Sequence, residues 1–264
     1  MLLTRDRRNE RVNIAPAPLI AVPPAHPEPP LDPSRLAVLC DMDGTLLDTE
    51  TTWLDTVRAV FADFGIAATE ETIARLEGAT TEQASARIVA AVAEAAADTP
   101  ASAPADPAAV AAQLEAHSLT AMEGNIRWCP GAEELLRSLH AAGVPLVLVT
   151  SSTRRWVEAA ARHVDFSLFA HTISADDVRH TKPHPEPYLR AAGLLGRAPS
   201  ECVVFEDSEV GLRAALAAGC TSVLVRADGA SWATHAHKLV PDLRGADATW
   251  VRAVAQRHAP PATL

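Results

Sequence analysis

The sequence predicts an α/β fold in which a parallel sheet carries an all-helical insertion close to its first strand. Two observations lead to this prediction. From residue 130 onward, short apolar runs alternate with helical patterns, the arrangement that right-handed strand–helix–strand crossovers produce. An apolar run of the same kind, Leu36–Cys40, lies far upstream and is separated from the others by helical patterns. We therefore expect this run to be a strand of the same sheet.

The first 34 residues differ in composition from the rest of the chain. Prolines are frequent there and no apolar period is sustained, so we expect a disordered, partly polyproline arm over 1–34. Leu36–Cys40 follows as a continuous apolar run, which is typical of a strand buried on both faces. The chain is thus divided into the arm, an α/β core over 35–51 and 123–264, and a helical insertion over 52–122.

The insertion contains four helical patterns. Apolar residues at spacings of three and four follow Glu50 and end at Gly65, a residue suited to a helix C-terminus. A short second helix and a third one that begins at Thr80 come next, and a loop rich in Ala and Pro follows them. Asp106 and Pro107 then have the pattern of an N-cap and a first helical residue, which predicts the fourth helix.

The second half of the core alternates strands with helices, as a Rossmann-like parallel sheet does. Strands are predicted over 144–149, 171–173, 202–205 and 221–225, and helices over 131–142, 153–163, 186–195, 210–218 and 247–256.

Composition limits the classes of function. Hydrophobic residues make up 48% and charged residues 21% of the 264 residues, which allows a sizeable core. The formal net charge of −10, with no long Lys/Arg run, argues against nucleic acid and anionic membranes as partners. No apolar segment is long enough to cross a bilayer, and four scattered cysteines suit a reduced, cytoplasmic protein. The ten histidines are interpreted as surface or packing residues without metal-ligand pairing.

Two carboxylates follow the first strand directly. Asp41 and Asp43 lie two residues apart at its end, with Gly44 and Thr45 behind them. Buried carboxylates repel each other and are costly to remove from water, so a divalent cation would compensate them well. Parallel α/β sheets bind ligands outside the carboxyl ends of their strands, where this pair is expected. A solvated turn is the alternative, because turns also favour Asp and Gly.

Three further polar clusters lie near predicted strand ends. The hydroxyl residues 150–152 precede a helix and suit either an anion site or a plain N-cap. Lys182 stands beside a proline that would aim its ammonium group, although a lone lysine is usually a surface residue. Glu206 and Asp207 form a second acidic pair, and the structural alternative there is an N-cap of the next helix by Asp207 or Ser208. Each cluster has a structural alternative, but their occurrence in one sheet favours a shared site.

In order and spacing, these clusters resemble the four motifs of the haloacid dehalogenase (HAD) superfamily. The motifs are residues 41–45, the strand ending at Thr150, Lys182 with its proline, and residues 206–211. The resemblance covers about 36–225 and implies a HAD-like core, with the insertion as an α-helical cap. Within the superfamily, the chain is similar to the branch of sugar-phosphate phosphatases, phosphoglycolate phosphatases and β-phosphoglucomutases.

The resemblance implies a Mg²⁺-dependent phosphomonoester hydrolase. Asp41 would be the nucleophile that forms an aspartyl-phosphate, and Asp43 would protonate the leaving alcohol and later deprotonate water. Lys182 would neutralise charge on Asp41 and on the phosphate. The implied Mg²⁺ ligands are Asp41, Asp43 through its backbone carbonyl, Asp207 and Glu206, the last directly or through water, and the implied phosphate-binding residues are Met42, Thr150, Ser151 and Lys182.

Three alternatives compete with hydrolysis. Dehalogenation is disfavoured, because dehalogenases that resemble this family lack the aspartate found here at Asp43. A β-phosphoglucomutase-like phosphomutase would carry His and Arg where this chain has Trp53 and Thr81. A catalytically silent binding protein on the same scaffold would not need the complete acidic set.

The expected partner is a small-molecule phosphate ester, bound by a cytoplasmic monomer or weak homodimer. A sugar or polyol phosphate is favoured because the cap contains few basic residues. Substrate selection is assigned to the turn over 78–81 and to the helix that carries Trp53, although Trp53 is more often part of a cap core. Arg154 is expected either to reach the substrate or to be a solvated helix residue.

Overall fold

The computed structural model describes residues 32–76, 81–96, 106–226 and 230–258, so that most of the predicted arm lies outside these ranges. Its strands are β1 (Ala37–Cys40), β2 (Leu146–Val149), β3 (His171–Ile173), β4 (Cys202–Glu206), β5 (Thr221–Val225) and β6 (Lys238–Val240). They form one sheet in the order β3-β2-β1-β4-β5-β6, and each neighbouring pair is parallel. The predicted α/β fold with a parallel sheet is confirmed.

Helices lie between successive strands from β1 to β5. The helices are α1 (Glu50–Asp63), α2 (Glu70–Ala74), α3 (Thr81–Ala96), α4 (Pro107–Asn125), α5 (Ala132–Ala141), α6 (Arg154–Ala160), α7 (Glu186–Leu194), α8 (Glu209–Ala218) and α9 (Ala248–His258). The helices α1 to α4 lie between β1 and β2 in the chain, as predicted for the insertion. In the described ranges, none of these helices combines the length and apolarity that crossing a membrane requires.

Side-chain caps determine where the helices next to the central strands begin. Thr153 Oγ1 accepts a hydrogen bond from the backbone N–H of Trp156 at 3.3 Å at the start of α6. Ser208 Oγ accepts from the N–H of Gly211 at 3.0 Å at the start of α8. Each cap satisfies an N–H group that has no partner within its helix. The first turns of α6 and α8 therefore lie at the sheet edge where β2 and β4 end.

Helices cover both faces of the sheet. On one face, α5, α6 and α9 pack against strand residues such as Val38 and Leu148. On the other face, α7 and α8 pack against the alternate residues, among them Leu39 and Val204. Strands that are covered on both sides carry apolar residues at every position, which explains their continuous apolar runs. The insertion has a separate apolar cluster built from α1, α3 and α4 around the buried Phe61.

The two segments that connect the insertion to the core are hydrogen-bonded to each other. Residues 46–48 and 127–129 form a short antiparallel pairing, with backbone N–H···O distances of 2.9 Å and 2.7 Å. The chain therefore leaves and re-enters the core at the same place. This place directly follows the turn that carries the two predicted catalytic aspartates.

The strand β6 was not predicted from the sequence. It is three residues long and lies at the edge of the sheet beside β5. Leu239 in its centre is 45% exposed, so β6 lacks the buried apolar run by which the other strands were recognised. The predicted start of the third helix at Thr80, and residues 78–80 of the predicted cap turn, lie outside the described residues.

Candidate active site

Three adjacent strands bring the predicted polar clusters to one edge of the sheet. Asp41 follows β1, Thr150 follows β2, and Glu206 is the last residue of β4. Because β1 lies between β2 and β4, these residues lie at the ends of neighbouring strands. The backbone N–H of Asp41 donates to the carbonyl oxygen of Phe205 at 3.0 Å, which continues the pairing beyond β1. Asp41 is only 7% exposed, so a solvated turn does not describe it.

Lys182 joins the two acidic strand ends. Its Nζ donates to Asp41 Oδ1 at 2.5 Å, to Glu206 Oε1 at 2.6 Å and to the carbonyl oxygen of Val149 at 2.8 Å. All three ammonium protons thus have acceptors. Burial acts to lower the pKa of Lys182, but Asp41 and Glu206 outweigh burial and raise that pKa above its ordinary value. Lys182 is therefore a buried, charged residue of this site and not a surface lysine.

Tyr188, which was not predicted as a site residue, completes the surroundings of Glu206. Its hydroxyl donates to Glu206 Oε1, and Ser208 Oγ donates to Oε2 at 3.1 Å. Glu206 is fully buried, and these donors together with Lys182 satisfy its carboxylate. Tyr188 is the only tyrosine of the chain and lies in the buried face of α7. A buried hydroxyl needs a polar partner, and that requirement is the signal that could have identified it.

Asp207 is held by contacts to both its side chain and its backbone. Thr45 Oγ1 donates to Asp207 Oδ1 at 3.3 Å, and Arg226 donates to the backbone carbonyl oxygen at 2.8 Å. Gly44 has a φ of +80°, and a Cβ there would lie 2.3 Å from Asp207 Oδ2. Glycine is therefore required at position 44 both by the turn and by the space that Asp207 occupies. No role was predicted for Arg226, because nothing in its sequence surroundings distinguishes it from a surface arginine.

Asp41, Glu206 and Asp207 form a group that could hold a divalent cation. One carboxylate oxygen from each lies within 4.8 Å of the others. Burial, and then the charge of Glu206, raise the pKa of Asp207 to about 7 against the opposing effect of Lys182. Burial likewise raises the pKa of Asp41, although Lys182 opposes it. Three carboxylates and one ammonium group leave a negative excess, which fits a hard divalent cation.

The side chain of Asp43, unlike that of Asp41, receives its hydrogen bonds from neutral donors. Ser152 Oγ donates to Asp43 Oδ2 at 2.7 Å, and Thr150 Oγ1 donates to the same oxygen at 3.3 Å. Trp156 Nε1 donates to Oδ1 at 2.9 Å. These contacts place Asp43 beside Thr150, the predicted phosphate-binding residue. Ser152 belongs to the predicted hydroxyl cluster 150–152 but was given no role of its own. Trp156 was not predicted as a site residue, because its position suits an ordinary helix start equally well.

Two predicted phosphate-binding residues have no side-chain contact that would define their role. Met42 is buried in the turn between the two aspartates, and its carbonyl oxygen accepts from the N–H groups of Leu46 and Leu47. Ser151 is exposed beside the buried Thr150. Phosphate binding by the N–H groups of Met42 and Ser151 stays a prediction.

The structure corrects the prediction for Arg154. Its guanidinium donates to the hydroxyl and the carbonyl oxygen of Thr172 at 2.5 Å and 3.1 Å, and it also pairs with Asp177. Both expectations for Arg154, a substrate contact and a solvated residue, were wrong because these acceptors beside β3 hold it. Trp53, in contrast, is part of the insertion's apolar cluster, and its Nε1 donates to the carbonyl oxygen of Leu76 at 3.1 Å.

A second group of metal-ligand side chains, His180, His184 and Glu186, lies on the loop that carries Lys182. The statement that the histidines show no metal-ligand pairing was wrong, because His180 and His184 are four residues apart. Hydrogen bonds nevertheless account for the group. Glu186 accepts from the N–H of His180 at 3.1 Å, and Nδ1 of His184 accepts from the N–H of Glu186 at 3.1 Å. A neutral histidine that accepts a hydrogen bond at Nδ1 carries its proton on Nε2. In this arrangement neither ring nitrogen of His184 has a free lone pair for a metal.

Comparison with known proteins identifies the family. The model of the haloacid dehalogenase-like hydrolase family matches residues 36–219. The chain is 37% identical over 195 residues to hexitol phosphatase A of Escherichia coli (strain K12), which covers 72% of this chain and 82% of that protein. It is 32% identical over 190 residues to the fructose-1-phosphate phosphatase YqaB of the same strain, with 72% and 95% covered.

A solved structure gives the same result at the level of the fold. The HAD family hydrolase from Deinococcus radiodurans R1, crystallised with bound phosphate and sodium, is 30% identical to this chain with a TM-score of 0.65. The match covers 85% of this chain and 98% of that one. The resemblance inferred from the motifs is thus confirmed, and the chain belongs to the haloacid dehalogenase-like hydrolase family.

Proposed function

We propose that this chain is a Mg²⁺-dependent phosphomonoesterase that hydrolyses a small phosphate ester through an aspartyl-phosphate on Asp41. The group of Asp41, Glu206 and Asp207, two of which pair with the buried Lys182, carries the proposal, because it joins a nucleophile to a site suited to a cation. The names of two relatives, hexitol phosphatase A and fructose-1-phosphate phosphatase YqaB, support this reaction. The proposal includes the predicted cytoplasmic location and a monomeric or weakly dimeric state.

The donor set supports Asp41 and Asp207 as direct Mg²⁺ ligands, with the backbone carbonyl of Asp43 as the third predicted oxygen. Glu206 differs from them, because hydrogen bonds already satisfy its carboxylate. We therefore assign Glu206 to the orientation of Lys182 and to cation binding through water. When bound, Mg²⁺ supplies positive charge that neutralises the phosphate and makes its phosphorus easier to attack.

We assign each step of the reaction to a residue of the chain. Asp41 attacks phosphorus, so that a bond from its carboxylate oxygen to phosphorus forms while the ester P–O bond breaks. Asp43 gives a proton to the departing alkoxide and later takes a proton from the water that attacks the aspartyl-phosphate. This second attack releases inorganic phosphate and restores Asp41. Lys182 holds Asp41 in place. We assign the Thr150 hydroxyl, which donates to Asp43 in the structure, to a phosphoryl oxygen of the bound substrate.

The charges of the insertion favour a leaving group without further anionic groups. Arg58 donates to Asp55, Arg75 donates to Glu71, and Arg87 donates to the carbonyl oxygen of Arg75. Each of these arginines thus donates to an acceptor within the insertion, and we assign none of them to a second phosphate group of the substrate. A sugar or polyol phosphate fits these surroundings, and it agrees with the names of the two relatives.

Release of inorganic phosphate from p-nitrophenyl phosphate tests the reaction. We expect turnover that requires Mg²⁺, is lost on chelation, and falls at least about 10³-fold in Asp41→Asn. Asp165→Asn changes an exposed aspartate and is the matched control, with an expected rate equal to that of the wild type. Phosphate release that survives Asp41→Asn, or no release by the wild type from any ester, would contradict the proposal.

A panel of sugar, polyol and short-acid phosphates tests the substrate class separately. Sugar and polyol phosphates should be hydrolysed fastest, and a preference for polyanionic esters would contradict this part of the proposal. Isomerisation that depends on a bisphosphate, with little net hydrolysis, would show the phosphomutase alternative instead.

A further inference from the structure

The orientation of the Asp43 carboxylate depends on three donors that differ in stiffness. Two of them, Thr150 and Ser152, are hydroxyl groups that share Oδ2. A hydroxyl can rotate and can accept as well as donate, so it follows the carboxylate when that group moves. The third donor is the indole N–H of Trp156, which lies 2.9 Å from Oδ1. An indole N–H donates only and has a direction set by a rigid ring.

Trp156 is itself held in place by two further contacts, one of its side chain and one of its backbone. It packs against the apolar cluster on the face of the sheet that α5 and α9 also cover. Its backbone N–H donates to Thr153 Oγ1, which caps α6. The helix α6 also contacts α4 of the insertion. Trp156 therefore connects a rigid part of the core to one oxygen of Asp43.

We propose that Trp156 is a positioning residue for proton transfer, because its indole N–H fixes Oδ1 of Asp43 and thereby directs the other oxygen toward the leaving group. The inference rests on the proposed function of Asp43 as general acid and base. Trp156 does not touch the reacting atoms in this role. Its loss leaves Asp43 present but allows the carboxylate plane to turn about its bond to Cβ.

This role predicts a loss of activity that depends on the leaving group. A poor leaving group needs a proton in the transition state, whereas p-nitrophenolate departs with little help. General acid catalysis contributes about 10²–10⁴-fold to such reactions, and an acid that is present but misoriented forfeits part of that factor. We expect Trp156→Phe to lower kcat about tenfold on glycerol 2-phosphate, less on phenyl phosphate, and less than about twofold on p-nitrophenyl phosphate. KM should change little on all three.

Trp250→Phe is the matched control for this variant. Trp250 is also half-buried and packs against the same apolar cluster, but its contact is with the ring of Phe205 and not with Asp43. It should keep kcat on all three esters. An equal loss on all esters in Trp156→Phe, no loss, or a gain would each overturn the inference, because a merely structural role acts without regard to the leaving group.

The contact itself can be tested without turnover. In a ¹H–¹⁵N spectrum of the full chain, sequential assignment of the wild type identifies the indole resonance of Trp156. Asp43→Ala should shift this resonance and leave the resonance of Trp250 in place. An unshifted Trp156 resonance overturns the inference even if Trp156→Phe folds poorly. If the wild type hydrolyses no ester, the proposed function fails, and the role of Trp156 in proton transfer fails with it even where the resonance shifts.

Discussion

The two halves of the site satisfy their carboxylates in opposite ways. In the carboxylate–lysine half, Lys182 pairs with Asp41 and Glu206, and a carboxylate oxygen of Asp207 lies within 4.8 Å of one from each of them. In the hydroxyl–indole half, the one carboxylate of Asp43 receives hydrogen bonds from three neutral donors. Both halves start from the same turn, because Asp41 and Asp43 are only two residues apart.

This difference shows how one turn can serve two kinds of chemistry. Neutral donors satisfy Asp43 without any added ion. The carboxylate–lysine half holds more carboxylates than ammonium groups, so it favours a bound proton or a divalent cation. We therefore expect the first half to respond strongly to loss of charge and to Mg²⁺, and the second half to respond to changes in donor direction.

The largest effect on stability is expected when Lys182 is removed. Lys182→Gln leaves Asp41 and Glu206 buried without their cationic partner, which should lower the free energy of unfolding by about 3–5 kcal/mol. In the other half, Ser152→Ala removes one hydrogen bond to Asp43 and should cost about 1–3 kcal/mol. Urea unfolding without Mg²⁺ measures both values.

Lys238→Gln is the control for the loss of a lysine, since Lys238 is exposed on the edge strand β6. It should change the free energy of unfolding by less than about 0.5 kcal/mol. Equal losses in Lys182→Gln and Ser152→Ala would remove the distinction between the two halves.

Mg²⁺ should stabilise the protein more at high pH than at low pH. The pKa of Asp207 is about 7 in the folded chain and near 3.8 in the unfolded chain. Between these values the folded state holds a proton that the unfolded state has released, so stability without Mg²⁺ falls as the pH rises through this range. Mg²⁺ binds the ionised carboxylates and reverses that loss. At about 100 times its Kd, it should add about 2.7 kcal/mol at pH 8, or a Tm rise of roughly 5–10 °C, and less at pH 5.5.

Thermal unfolding at the two pH values, with Mg²⁺ and with a chelator, measures this effect. Asp207→Asn should lose most of the Mg²⁺-dependent rise at both pH values, whereas Asp165→Asn should keep it. A rise that is as large at pH 5.5 as at pH 8 would show that Asp207 does not control cation binding.

A smaller effect is expected from filling the space beside Glu206. A Cβ at Gly211 would lie 1.9 Å from the Glu206 carboxylate, so Gly211→Ala must displace Glu206 or α8. Overpacking of this kind costs about 1–3 kcal/mol. Gly193→Ala, in α7, has no atom within 4 Å of the new Cβ and should be neutral or stabilising by up to about 1 kcal/mol. If both variants unfold alike in urea, the packing around Glu206 is not as tight as described.

The buried strands and the charged ends of the site were predictable from the sequence. Strands covered on both faces leave continuous apolar runs in the sequence. These runs end abruptly at acidic residues, namely Asp41, Glu206 and Asp207. Lys182 was recognised only through the spacing of the motifs, because a single lysine has no periodicity. The edge strand β6 was not recognised, since a short, exposed strand has no apolar run to mark it.

The partners of the charged residues were less predictable. Trp156 and Tyr188 occupy ordinary helix positions in the sequence, and only the packing of α6 and α7 on the sheet brings their polar atoms to the carboxylates. Arg154 shows the reverse error, because its charge suggested a substrate contact while acceptors near β3 hold it. A residue's type indicates what chemistry it can perform, but its partner depends on tertiary packing.

The excess of carboxylates over ammonium groups beside Lys182 also has a consequence for the binding of the proposed substrate. A phosphate monoester carries between one and two negative charges near neutral pH. In the proposed reaction, an ester that arrives before the cation meets Asp41 and Asp207, whose raised pKa values leave them ionised only in part. We therefore expect Mg²⁺ to strengthen the binding of the ester and of inorganic phosphate, because the cation offsets the remaining negative charge.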